Sequence, residues 1–259
     1  MHLTTNNDGL RGAICAAVAE ALSQRPDVLA GWEGGSVALG ALDAYSDIDL
    51  NFLVTDGASL DVLYSAVEDA LQKVSPVSAS HVAPPGRYYK LRDGGEFLLL
   101  DLCFFRVGAA DRHLDAERHG KARPLFDKAD WLRLAPTSNA AQASARQQRH
   151  AELQEWFLVS QNFVRKALLR RQHADAMAAF WAYTVRPLAE LLRMRYCPVR
   201  WDFGMRYLDR DLPPGVYARF RDVLFVQDLD DLEVRVTEAS TWGVELLNEL
   251  ASSDGQTAG

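Results

Sequence analysis

Cysteine is scarce: Cys15, Cys103 and Cys197 are the three in 259 residues, and they stand far apart. That spacing excludes a sequence-local metal pattern and a disulfide framework, and it fits a reducing cytosol. Long apolar runs are also missing. No segment approaches the ~20 residues needed to cross a bilayer, and Met1 to Asp8 show neither a basic n-region nor an h-region. Neither a membrane span nor a secretory leader is expected, so the chain is expected to be cytoplasmic. Positive charge is not in excess either. Lys and Arg number 28 against 35 Asp and Glu, a formal charge of −7, which argues against a general polyanion binder and against nucleic acid as the partner. Two phosphate-binding signatures fail as well. Gly35 and Gly40 have Walker A spacing, but Ala41-Leu42 stand where Lys-Ser/Thr is needed, and no Gly-x-Gly-x-x-Gly is present.

What is present is enough apolar residue, 48% of the chain, for a sizeable core in one large or two modest domains. Leu10 to Leu22 has the apolar stripe of a helix, and Val28 to Glu33 is a short strand entering Gly34-Gly35. A helix over Val37–Leu42, a strand over Asp47–Val54 and a helix over Leu60–Val74 follow. Val77 to Leu91 is expected to be extended, with a turn at Arg92–Gly95 and a strand from Glu96 to Val107. Phe126 to Leu132 is expected as a turn closing the first domain, and a cap at Ser138 or Asn139 opens the second. Beyond it the periodicity is helical, with a bend at Pro187 and two final helices over Tyr217–Val226 and Leu232–Leu250. The expected class is α+β: a mixed-sheet domain over 1–135, an all-α bundle over 136–251, and a disordered tail over 252–259.

The densest chemistry lies between Gly34 and Leu50. A Gly-Gly-Ser turn leaves backbone N–H groups beside a helix start, a natural phosphate cradle. Ser36 can cap that helix, reach a phosphate, or do both. Asp47 and Asp49 then alternate with Ile48 and Leu50, so the two carboxylates share one strand face. Carboxylates held at that spacing repel, and hard divalent cations such as Mg²⁺ relieve the repulsion. Further on, Asp101 stands alone inside Leu98-Leu99-Leu100-Asp101-Leu102-Cys103-Phe104-Phe105. A carboxylate there is costly unless it is bound to metal or paired with an arginine.

Gly35, Ser36, Gly40, Ser46, Asp47, Ile48, Asp49 and Leu50 carry a resemblance. Their pattern is similar to the signature of the DNA polymerase beta-like nucleotidyltransferases, and within them to the aminoglycoside and lincosamide enzymes. The resemblance implies a nucleotidyltransferase domain followed by a helical domain. It implies transfer of a nucleoside monophosphate from an NTP, taken as ATP, to a hydroxyl of a small antibiotic-like molecule, with release of pyrophosphate. On that pattern Asp47 and Asp49 bind two Mg²⁺ ions, and Asp101 is the third carboxylate and candidate general base, with Glu96 as rival. Gly35 and Ser36 hold the phosphates. Arg165 and Lys166 either close over the triphosphate or form a solvated helix face.

Two alternatives stand beside this expectation. One is a protein or nucleic-acid acceptor; the other is a non-catalytic nucleotide- or partner-binding module of the same fold. The acids Asp228, Asp230, Asp231 and Glu233 cap a helix or meet a cationic acceptor, capping being the simpler role.

Overall fold

The computed structural model describes residues 8–109, 112–133 and 139–256. The chain divides into two compact units, Met1–Ser138 and Asn139–Gly259.

In the first unit, α1 (Asp8–Ser23), β1 (Val28–Glu33), α2 (Gly35–Ala38), β2 (Ile48–Val54) and α3 (Leu60–Val74) are followed by β3 (Val77–Ala83), β4 (Gly86–Leu91), β5 (Leu99–Arg106), α4 (Ala116–His119) and β6 (Arg123–Asp127). The six strands form one mixed sheet in the order β3-β4-β5-β2-β1-β6. Its central pair, β2 and β5, is parallel, and every other neighbouring pair is antiparallel. Helices α1 and α3 cover one face, packing Ile14, Val18, Leu22, Val67 and Leu71 onto Ile48, Leu50, Phe52, Leu100 and Leu102. Ile48 and Leu50 are fully buried, which is worth about 1.5–3 kcal/mol each. Their burial fixes the β2 register, because a one-residue slip would put Asp47 and Asp49 in the core. The opposite face carries a smaller cluster of Ala30, Trp32, Leu53 and Phe105.

Four details differ from the sequence expectation, the first being that the helix expected over Val37–Leu42 is the shorter Gly35–Ala38. The extended segment after Val77 is a hairpin, β3 and β4, turned at Pro84-Pro85. Residues 92–98 are turn or coil, so β5 begins at Leu99 instead of Glu96. Arg123–Asp127 is a strand on the far edge of the sheet, pairing with β1. Pro124 cannot donate to a ladder and masks a strand signal, yet an edge position tolerates it.

The second unit is helical. It runs α5 (Asn139–Leu169), α6 (His173–Phe180), a π-helical turn (Trp181–Val185), α7 (Arg186–Tyr196), a 3₁₀ turn (Pro198–Arg200), α8 (Leu208–Asp211), α9 (Pro214–Leu224) and α10 (Leu229–Gln256). Leu153, Phe157 and Val164 of α5 pack with Leu188, Leu191 and Leu192 of α7 and with Leu232, Val236 and Leu246 of α10. Gly243 admits the Phe157 ring, since a Cβ there would lie 2.4 Å from it. The expected bend at Pro187 is a π turn immediately before it. Gln161 spans that turn, donating to the Tyr183 carbonyl at 2.9 Å while its own oxygen accepts from Thr184 at 2.7 Å.

Helix α10 continues through residues 252–256, the start of the segment expected to be disordered; 257–259 lie outside the described residues. Ser138, one of the two expected cap positions, also lies outside them. Among the described residues no helix is long and apolar enough to cross a membrane.

Candidate active site

The parallel register of β2 and β5 sets Asp49 directly beside Asp101. Neighbouring strands lie about 4.8 Å apart, so the two carboxylates leave the same face side by side. Asp47 sits one residue before β2. The loop delivering it is closed by Asp43, whose Oδ1 accepts from the Ser46 hydroxyl at 2.7 Å and the Tyr45 N–H at 3.0 Å. Arg11 of α1 clamps the same loop, donating to the carbonyls of Ser46 at 3.0 Å and Asp47 at 2.5 Å. Arg11 is held in turn by Glu33, the last residue of β1, which is fully buried and also pairs with Arg123. None of these three residues stood out in the sequence. The available signal was Glu33 at the end of the otherwise uncharged strand Val28-Leu29-Ala30-Gly31-Trp32.

The three acids differ in environment. Burial raises the pKa of Asp47 above its ordinary value, an effect moderated by the Leu99 N–H bonded to its carboxylate and by the charge of Arg11. Asp49 lies against Gly35: a Cβ on that glycine would fall 1.8 Å from an Asp49 carboxylate oxygen. Asp101 approaches the Cys103 thiol, with Sγ to Oδ1 at 3.8 Å. Burial, reinforced by the charges of Asp101 and Asp49, pushes that thiol up to about 12, so Cys103 is protonated and no nucleophile at neutral pH. Among the described residues no three of His, Cys, Asp and Glu converge as a metal-binding group. Register sets Asp49 beside Asp101, and the Leu99 N–H at the start of β5 bonds the Asp47 carboxylate. The pair still suits a hard divalent cation, because it supplies charged oxygens on one face and leaves other positions to water or phosphate.

A stability effect follows from Asp47. Its folded-state pKa exceeds the unfolded one, so folding binds the proton more tightly, and stability falls as pH rises from 3.8 through the raised value. Asp47→Asn, which can still accept from Leu99, is expected to melt higher than the parent at pH 7 without divalent ions. The advantage should vanish below the unfolded pKa. Equal melting temperatures at both pH values would refute this.

Next to Asp49, α2 is only four residues long. It offers local N–H groups more than a macrodipole. Gly35 adopts φ +54, a conformation that favours glycine. Gly34 occupies the N-cap position, so Ser36 is not the cap that the sequence allowed it to be. Instead the Ser36 hydroxyl is buried without a hydrogen-bond partner. An orphaned hydroxyl at the first turn of a helix, beside a glycine with no side chain, fits a phosphate oxygen. The turn is braced from behind: Lys121 N–H donates to the Ala38 carbonyl at 2.9 Å, and a Cβ on Gly120 would meet that oxygen at 2.4 Å.

The remaining candidates lie elsewhere. Glu96 is exposed in the turn before β5, and its carbonyl accepts from Lys90 at 3.1 Å. Arg165 and Lys166 are exposed on α5 of the second unit. Arg165 lines a cavity of about 640 Å³ between α5 and α10, with Leu158, Asn162, Glu233 and Thr237. At the start of α10, Asp228 caps the helix by accepting from the N–H groups of Asp230 and Asp231, Asp231 accepts from Gln227 and pairs with Arg235, and Asp230 pairs with Arg171 at 3.6 Å.

No family model matches the chain, and no curated protein matches it. Several solved structures are similar to it. A spectinomycin adenyltransferase from Enterococcus faecialis, with ATP and spectinomycin, is 10% identical over 94% of this chain and 99% of its own, at a TM-score of 0.41. An aminoglycoside 6-adenyltransferase from Bacillus subtilis is 12% identical over 94% of this chain and 90% of its own, at 0.34. A nucleotidyltransferase-like protein from Exiguobacterium sibiricum is 16% identical over 96% of this chain and 78% of its own, at 0.42. At such identities and TM-scores the likeness carries nothing about chemistry, which has to be argued from the side chains.

Proposed function

We propose that the chain is an enzyme transferring a nucleoside monophosphate from an NTP, ATP foremost, to a hydroxyl of a small molecule. The observation that carries this is the Asp49–Asp101 register beside Gly35 and the partnerless Ser36 hydroxyl. A phosphate cradle and a carboxylate pair on one sheet face can hold a triphosphate by its tail and present the α-phosphorus to an incoming oxygen.

Ser36 and the N–H groups of α2 would bind the terminal phosphates, and Gly35 keeps the backbone close by having no side chain. Asp49 and Asp101 would hold Mg²⁺, which when bound offsets triphosphate charge and lowers the pKa of a coordinated oxygen. Asp101, across the pair from Gly35, would take the proton of the acceptor hydroxyl. The acceptor oxygen then bonds to the α-phosphorus, the α–β bridging bond breaks, and pyrophosphate leaves with that electron pair. Asp47 completes the acidic face if it gives up the Leu99 N–H. Arg165 and Lys166 remain proposals for the triphosphate, and the cavity beside Arg165 offers it another role. Asp228 and Asp231 serve as caps at the start of α10, the simpler of the two roles considered for these acids.

The test is mass spectrometry of hydroxyl acceptors, including aminoglycosides, a lincosamide, a protein and an RNA, incubated with each NTP and Mg²⁺. One acceptor is expected to gain a nucleoside monophosphate as pyrophosphate appears. Absence of both product and NTP binding would overturn the proposal.

A further inference from the structure

β2 begins at Ile48, so Asp47 lies one residue short of the register that holds its neighbours. Arg11 of α1 supplies what the ladder does not. Its Nη1 donates to the Ser46 carbonyl at 3.0 Å and its Nη2 to the Asp47 carbonyl at 2.5 Å. Those two carbonyls belong to the peptide planes on either side of the Asp47 Cα. Each peptide unit is planar, so holding both restrains φ and ψ of Asp47, and with them the direction of its Cα–Cβ bond. Arginine suits this grip, because its rigid fork reaches two acceptors at once, whereas a lysine ammonium is a single point.

The grip is itself held. Arg11 is buried, and its Nη2 also donates to Glu33 Oε1 at 3.2 Å, while the other Glu33 oxygen pairs with Arg123. Glu33 is fully buried at the end of β1, with Arg123 beside it in the register of β1 and β6. The next residue, Gly34, donates its N–H to the Asp49 carbonyl at 2.9 Å, and Gly35 follows against the Asp49 carboxylate. One buried carboxylate thus stands between the loop that carries Asp47 and the turn that carries the phosphate cradle. A buried ion pair is weak evidence for stability, since apolar side chains of similar volume often serve as well. Here the charges fall on the backbone of one acid, which is a matter of placement.

We propose that Arg11 is a positioning residue for the divalent-cation site: it acts through Asp47, whose backbone it holds, and Glu33 keeps it at a fixed distance from the cradle. The inference rests on the nucleotidyl-transfer proposal and deepens it. With the backbone held, the Asp47 carboxylate exchanges the Leu99 N–H for a cation by side-chain rotation alone.

The experiment uses the full chain with Mn²⁺ as the probe, which favours the same oxygen ligands as Mg²⁺, and α,β-methylene-ATP as a nucleotide that is not cleaved. Free Mn²⁺ is read by electron paramagnetic resonance, so activity is not needed. Arg11→Lys keeps a charge beside Glu33 but loses the fork, and it is expected to weaken Mn²⁺ binding about tenfold. Asp47→Ala should weaken it as much, and adding Arg11→Lys to Asp47→Ala should change it by less than about twofold, because the arginine acts through that carboxylate. Val67→Ala, a core truncation under α3, should melt lower than the parent yet bind Mn²⁺ like it. Should Arg11→Lys fail to fold, Arg11→Gln, which leaves Glu33 paired with Arg123, carries the same cycle. Parent-level Mn²⁺ affinity in the Arg11 variant with only a lower melting temperature overturns the inference, as does an undiminished effect of Arg11→Lys in the Asp47→Ala background. Parent-level affinity in Asp47→Ala also overturns it, while leaving the transfer proposal on Asp49 and Asp101 standing. A parent that binds neither Mn²⁺ nor the nucleotide overturns both.

Discussion

Asp101→Asn is expected to lower nucleotidyl transfer by about 10³-fold, or ~4 kcal/mol of transition-state stabilisation, without unfolding the protein. The substitution keeps the side chain's shape in β5 but removes both the charge facing Asp49 and the acceptor for a hydroxyl proton. Asp49→Ala should lose as much, because it empties the place over Gly35 as well as half of the carboxylate pair. Neither variant should melt lower than the parent in the absence of divalent ions, since each relieves like-charge repulsion on the sheet face. Added Mg²⁺ should raise the melting temperature of the parent and do so less for both variants. Glu96→Gln, altered in an exposed turn, serves as the control and should remain active. Parent-level activity in Asp101→Asn, or loss confined to Glu96→Gln, would remove Asp101 from the site.

The second large effect concerns stability. Asp211→Ala is expected to destabilise the helical unit by about 3–5 kcal/mol, the cost of leaving a buried charge without its partner. Arg193 on α7 is fully buried and donates to Asp211 at 2.6 Å, to the Gly204 carbonyl at 2.7 Å, and to the carbonyls of Arg200 and Arg206. Asp211 also takes Arg200 at 2.5 Å. One carboxylate thus pairs with two guanidiniums and ties the irregular segment between α7 and α9 to the core. Within the basic-aromatic run from Arg195 to Trp201, Arg200 takes this structural part. Denaturant melts followed by far-UV circular dichroism should show the loss in Asp211→Ala. The double variant Arg193→Met/Asp211→Leu should recover part of it, because the fully buried guanidinium is gone and only the partly exposed Arg200 loses its partner. An unchanged midpoint for Asp211→Ala would show the pair to be dispensable.

Much of the chain was determined by its sequence alone. Alternation over Ile48-Asp49-Leu50 requires a strand with acids on one face, whatever lies around it. The periodicity of Leu60–Val74 requires a helix, and the structure has one with the same bounds. Gly35 next to Ser36 is legible because a turn with φ > 0 calls for glycine. Asp101 was legible because a lone acid in an apolar run demands a reason.

What the tertiary structure decided are matters of register and partnership, which no local pattern encodes. Asp49 faces Asp101 only because β2 and β5 pair in parallel, more than forty residues apart in sequence. That same pairing brings the Leu99 N–H to the Asp47 carboxylate. Arg11, Glu33 and Arg123 come from three elements and meet only in the folded unit. β6 escaped notice because an edge strand with a proline draws its stability from the neighbour it pairs with, β1, and not from its own residues.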